Sequence, residues 1–388
     1  MYWRKVTTQG KTLAPNTDII KEWIKINRKF SPIPALESLG IIVKKTVRGY
    51  SNSDLLLPIV LATLINSTLE TVSEALRGIL AEVPSADTIL SHIRRHKLAK
   101  IERMINRALA ESFNVSWRRS IEAIVAIDIT DIRYYGEIKG TDAKHTRPRK
   151  GTHYAYRFMV ASIVSEKGKF VLYVHLIKRN EDIKTALGKI LEKIRRIDKI
   201  SWLILDKGFF QVRVLRMLKR MQLRFVMAVP ETNSIKKLEI TENAVTRYVV
   251  TSKRYGHEPI WLVTFRDEKG IVHYITNKPV RRRRCGDVHR RYKKRWRIEV
   301  SFAVIKRSVA KTTSRSSSVR VFLFGISCIL YNVWILTNFA WTARESKAKI
   351  RAPETKKQYT HWLIIAIVVI IATYLVGISR LRLNNYVK

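Results

Sequence analysis

Cysteine is nearly absent from the 388-residue chain, which has only Cys285 and Cys328. No Cys-x-x-Cys pair occurs, so a disulfide framework and a cysteine-rich zinc site are both excluded, and an intracellular, reducing compartment is expected. Acids are scarce as well: 31 Asp and Glu stand against 74 Lys and Arg, a formal net charge of +43. Such an excess calls for a polyanionic partner, of which nucleic acid is the commonest. The N-terminus, "MYWRKVTTQGKTLAP", has no apolar run of signal-peptide length, so export is not expected. Internal repeats and low-complexity tracts are lacking too. What is present is an apolar fraction of 46%, that of a folded chain, in a length sufficient for two or three domains.

Two apolar runs need a reading. "VFLFGISCILYNVWILTNFAW", Val321 to Trp341, is long enough for a bilayer, but Ser327, Asn332, Thr337 and Asn338 interrupt it. The second, Trp362 to Val376, is short for one. Buried core helices are expected and a membrane partner is not. The alternative is a membrane protein with a basic cytoplasmic domain, which recovery only in detergent would reveal.

Residues 1 to about 115 have helical periodicity. "SDLLLPIVLATLINSTLETVSEALRGIL" is expected as one helix, ended by Pro84-Ser85. "SADTILSHIRRHKLAKIERMINRAL" follows as a second, with Ser85 or Asp87 to cap it and Arg94 and Arg95 to meet DNA. From about 120 the pattern turns to strands. "EAIVAID", "YAYRFMVASIV" and "KFVLYVHLIK" precede a helix in "EDIKTALGKILEKIRRI", a strand "SWLILD", a helix "FQVRVLRMLKRM" and a strand "RFVMAVP". The order β-β-β-α-β-α-β predicts an α/β (α+β) fold, a mixed sheet flanked by helices as in a ribonuclease-H-like core. Residues 231 to 284 are rich in β-branched and aromatic residues and are expected to form a β insertion.

Asp128 and Asp206 end the first and fourth of these strands, and in such a sheet the two strands can lie side by side. A lone Asp there is usually a turn residue or a cap. Two of them can share cations, since carboxylate oxygens are the ligands Mg²⁺ prefers. Asp131, placed in the following loop, is the alternative first ligand. His145 and His153 lie in a basic loop and suit phosphate contact or solvation. Cys285 and His289 have no further ligands nearby, so zinc is not expected.

The third acid is in "RRYKKRWRIEVSFAVIKR", Arg290 to Arg307, where Glu299 is alone among eight Lys and Arg residues. On one continuous helix Tyr292, Arg295, Glu299 and Lys306 fall within an arc of about 60°, beside an apolar arc of Ile298, Phe302 and Ile305. Glu299 could simply pair with Arg295 at helical spacing. It could also complete a three-carboxylate metal site.

These residues resemble the DDE transposases of the insertion-sequence-4 type, whose signature Y-x2-R-x3-E-x6-K is matched by Tyr292, Arg295, Glu299 and Lys306. "IDIT" at Ile127 to Thr130, "LDKGFF" at Leu205 to Phe210, "ITN" at Ile275 to Asn277 and "YNVW" at Tyr331 to Trp334 match as well; Lys207 departs, standing where Arg is usual. The resemblance covers about residues 120 to 341. It implies a metal-dependent DNA endonuclease and strand transferase with Asp128, Asp206 and Glu299 as catalytic residues and ligands of two Mg²⁺ ions, Mn²⁺ substituting. It also implies Tyr292, Arg295 and Lys306 on phosphates and Trp296 stacked on a displaced base or packed in the core. A homodimer on the DNA of element ends and target, in the cytoplasm at the nucleoid, would follow. A catalytically inactive DNA-binding relic is the alternative. The expected organisation is a helical DNA-binding region at 1–115, a first core part at 116–230, the insertion at 231–284, a second core part at 285–341, and a basic and apolar helical segment at 342–388.

Overall fold

A computed structural model describes residues 32–345, apart from 45–48, 79, 81, 117–122, 150, 165–168, 196–199 and 269. The second apolar run and most of the 342–388 segment lie outside the described residues.

The alternating and β-branched runs form one mixed sheet. Strands β1 (Ala123–Tyr134), β2 (Lys144–Arg149), β3 (Thr152–Val164) and β4 (Lys169–Leu176) are followed by helix α6 (Ile183–Ile194), β5 (Ile200–Leu205), α7 (Val212–Arg220) and β6 (Phe225–Ala228). β3 pairs antiparallel with β1 and β4, while β5 is parallel to both β1 and β6. The resulting order β4-β3-β1-β5-β6, three antiparallel strands then two parallel ones, is the ribonuclease-H-like arrangement. After the short helix α8 (Asn233–Lys236), β7 (Ala244–Ser252), β8 (Gly256–Asp267) and β9 (Gly270–Thr276) extend the same sheet, because β9 pairs with β6. Asn277 locks this join: its amide donates to the Leu223 carbonyl at 2.7 Å and its Oδ1 accepts from the Phe225 N–H.

Three expectations need correction. The basic loop is in part the strand β2, where Gly151 at φ 85° makes the turn and His145 stacks on His153. The helix expected from Ser53 to Leu80 is two, α2 (Asn52–Leu64) and α3 (Leu69–Arg77), following α1 (Pro32–Ser38). Asn66 takes a left-handed φ of 55° and Thr68 caps the new start, so short polar side chains outweigh the apolar period. The helix expected from Ser85 is also two, α4 (Ala86–Arg94) and α5 (Leu98–Ser116), with Ser85 as the N-cap. His96 is buried at the break, its Nε2 3.2 Å from the Val43 carbonyl, and this tertiary bond holds the chain out of register.

The apolar run belongs to α11 (Ser317–Glu345), which is long enough to cross a membrane, yet every residue from Val319 to Ile335 is buried inside the protein. Gly325 permits close contact with α5, since a Cβ there would meet Ile105 Cγ2 at 2.6 Å. Asn332 has a specific task. β4 is bonded to β3 along one edge, and on the other Asn332 both accepts from the Val171 N–H and donates to its carbonyl. Asn106 of α5 does the same for Val174. Two side-chain amides from two helices thus replace a neighbouring strand.

A charged cluster joins β4 to the helices. His175 is buried, with Nε2 2.9 Å from Glu181 and Nδ1 3.4 Å from Glu102 of α5, and Lys189 of α6 pairs with Glu181 at 2.6 Å. Burial opposes the imidazolium, but the two carboxylates outweigh it and raise the His175 pKa above 6.5. A raised histidine contributes its stability fully below the unfolded value and loses it as pH rises through the folded one. His175→Gln is therefore expected to cost about 2 kcal/mol below pH 6.5. Urea unfolding should show this deficit shrinking as the pH is raised further; a deficit independent of pH would mean that the imidazole is neutral.

Candidate active site

β1 and β5 run in parallel and in step as far as Ile127 opposite Leu205, and the next residue on each is an aspartate. Asp128 and Asp206 therefore stand on adjacent strands, about 4.8 Å apart in backbone spacing. β1 does not end at Asp128, as expected, but continues against β3 to Tyr134; what ends is its pairing with β5. Asp131 is consequently on the strand and not in a loop. Side chains alternate along a strand, so Asp131 points to the face opposite Asp128, where Arg157 holds it in a two-pronged ion pair at 3.0 and 3.3 Å. Asp206 starts a short 3₁₀ turn, Lys207–Phe209, without capping it by its side chain, so its carboxylate is not taken up by the local backbone.

The run Arg290 to Arg307 is not one helix. α9 (Cys285–Lys293) and α10 (Trp296–Ile305) meet in a tight turn bonded from Arg295 N to the Tyr292 carbonyl and from Ile298 N to that of Arg295. Neither glycine nor proline stands at the break. Cys285 and Val288 of α9 are anchored in a small cluster with Trp202, Val226 and Tyr274, whereas Ile298, Phe302 and Ile305 of α10 belong to the main core. Lys306 begins a further 3₁₀ turn beyond α10 and lines a cleft of about 570 Å³ with Asp131 and Arg133.

Tyr292 and Arg295 reach the two aspartates, and Arg295 ties Glu299 to them. Arg295 Nη1 lies 2.6 Å from Glu299 and 3.2 Å from Asp128, so the local pair expected from spacing exists but is half of a bridge. The Tyr292 hydroxyl donates to Asp206 at 3.4 Å. Asp128 and Arg295 are only 15% and 16% exposed, while Glu299 is 40% exposed. Burial lifts the Asp128 carboxyl to about 6; the Ile129 amide and Arg295 oppose this, and the like charges of Asp206 and Glu299 add to it. Burial also works against the Arg295 charge, but Tyr292, Asp206 and Glu299 outweigh it and hold the proton more tightly. Carboxylates are the side chains that suit a hard divalent cation. As placed, however, no three His, Cys, Asp or Glu side chains among the described residues stand together as ligands of one ion. The guanidinium stands among them instead.

Supporting contacts escape sequence reasoning. Tyr274 lies against the Tyr292 ring with centroids 4.8 Å apart, and its buried hydroxyl meets His289 Nδ1 at 2.8 Å. His289 three residues before Tyr292 on a helix was the signal available for this. Tyr331 of α11 meets Ser301 of α10 at 2.9 Å, holding the Glu299 helix to the core. Trp296 is 68% exposed, which excludes core packing. Arg94 and Arg95, at the end of α4, are exposed.

The profile of the transposase DDE domain family matches residues 119–333, more than half of the chain. No curated protein matches it. Among solved structures it is similar to "Mos1 transposase paired-end complex with left transposon end", at 16% identity over 56% of this chain and 68% of that one, with a TM-score of 0.18. The family profile spans β1, β5 and α10, the elements that carry the three acids, and the chain belongs to the DDE-domain transposases.

Proposed function

We propose that the protein is an insertion-sequence transposase of the insertion-sequence-4 type, cutting element ends and joining them to target DNA. The observation that supports this reading is the match of the transposase DDE domain family over residues 119–333, a span that includes Asp128, Asp206 and Glu299, in a chain of net charge +43. The three carboxylates would hold two Mg²⁺ ions, or Mn²⁺, which when bound activate an attacking water or 3′-hydroxyl and stabilise the leaving oxygen. Arg295 and Tyr292 bind the phosphate beside the scissile bond, Lys306 one further along, and the exposed Trp296 stacks on an unpaired base. Arg94 and Arg95 grip the DNA backbone away from the chemistry, and two copies act on paired ends, in the cytoplasm at the nucleoid.

The test is incubation of the protein with labelled candidate element ends and Mg²⁺. Nicks at the element boundary are the expected product. Tight binding with no cut in either Mg²⁺ or Mn²⁺ would identify a relic that retains only DNA binding.

A further inference from the structure

The Arg295 guanidinium is where a cation is wanted. A single nitrogen, Nη1, touches both Asp128 and Glu299, and an ion bound by those two carboxylates would face a fixed positive charge at contact distance. Arg295 is nevertheless not fully satisfied. Its Nε is buried with no hydrogen-bond partner among the described residues, leaving part of the donor fork unused. It is also carried on the turn between α9 and α10, next to the exposed Trp296 and flanked by further bases. A phosphate there would offer the guanidinium two oxygens in the geometry it prefers, and would engage the idle nitrogen.

We propose that Arg295 is the resident counter-cation of the carboxylate site and keeps divalent ions out until a DNA phosphate draws the guanidinium away. This deepens the reading above and rests on it. Free protein then carries a closed site, and bound DNA opens it. Because binding free energies are reciprocal, DNA must tighten metal binding by the factor by which metal tightens DNA binding. The arrangement confines metal-dependent chemistry to protein already on its substrate.

The experiment titrates Mn²⁺ into the full chain, with free Mn²⁺ read by electron paramagnetic resonance, without DNA and with a short duplex. The Asp128→Asn, Glu299→Gln double variant supplies the background of ions bound elsewhere on protein and DNA. In the wild type the duplex should tighten carboxylate-dependent Mn²⁺ binding by about tenfold or more, within the usual range of site-to-site coupling. Arg295→Gln without DNA should show a similar gain and respond little further to the duplex. Equal affinity of wild type and Arg295→Gln, or no effect of the duplex on the wild type, overturns the proposal while leaving the metal site intact. Mn²⁺ binding indistinguishable from background in every sample overturns the metal reading as well. The comparison of wild type with and without duplex, less the background of the double variant, does not use Arg295→Gln, so a missing duplex effect overturns the proposal even if Arg295→Gln fails to fold.

Discussion

Asp128→Asn, Asp206→Asn and Glu299→Gln are each expected to lower cleavage of element ends by about a thousandfold or more while the variants still shift end DNA. Loss of one carboxylate from a metal site removes several kcal/mol of transition-state stabilisation, and about 4 kcal/mol is a factor of a thousand in rate. Binding survives because it depends on cations elsewhere on the chain. Asp131→Asn is the control: its carboxylate is on the opposite face of β1, paired with Arg157, so end cleavage should stay within about tenfold of wild type. The exchanged protein, Arg295→Glu with Glu299→Arg, keeps an ion pair at the same spacing and should be inactive, since the bridge to Asp128 and the ligand are both lost. Gel shifts and gel-resolved cleavage on the same samples decide. Normal cutting by Asp128→Asn alongside loss in Asp131→Asn would reverse the assignment of the first acid, and activity in the exchanged protein would return Glu299 to a local pairing role.

DNA affinity is expected to fall by about 10³ to 10⁵ between 50 and 200 mM salt if six to ten phosphates are neutralised. Each phosphate contact releases a condensed counterion, so the logarithm of the affinity falls with the logarithm of salt at about 0.9 per contact. A net charge of +43 supplies more than enough cations for such a footprint. Anisotropy titrations of a labelled duplex measure the slope. A flat response over that range would remove the electrostatic account of DNA binding.

Period and propensity are sufficient for the sheet: β3, β4, β5 and β6 lie where alternating and β-branched runs predict them, and Asp206 follows β5 as expected, whereas Asp128 lies within β1. The sequence was misleading where tertiary contacts override local pattern. Nothing in "RRYKKRWRIEV" announces a break at Lys294 and Arg295, on either side of which Val288 and Ile298 are buried in different hydrophobic clusters. Tyr292 contacts Asp206, and Arg295 contacts Asp128 and Glu299, although the helix expected to carry them is not continuous; Lys306 follows α10 into another turn, beside a cleft lined by Asp131. Asp131 was misjudged because strand length cannot be read past the point where one neighbour stops while the other continues. Of the supporting pairs, Ser301 with Tyr331 leaves no trace in the sequence and Tyr274 with His289 leaves only the spacing of His289 to Tyr292, since each joins residues that the fold brings together.

The two asparagines on β4 set an order of assembly. Asn106 lies in a helix made before the sheet, whereas Asn332 reaches back 161 residues to Val171. During synthesis β3 and β4 can pair long before α11 has left the ribosome, and in that interval the outer rim of β4 is half closed. Unpaired N–H and C=O groups on such a rim are a template for strands of other chains. The last helix of the described fold is thus also the seal on the hairpin of β3 and β4, and a nascent chain stalled ahead of it would carry a sheet with an adhesive side.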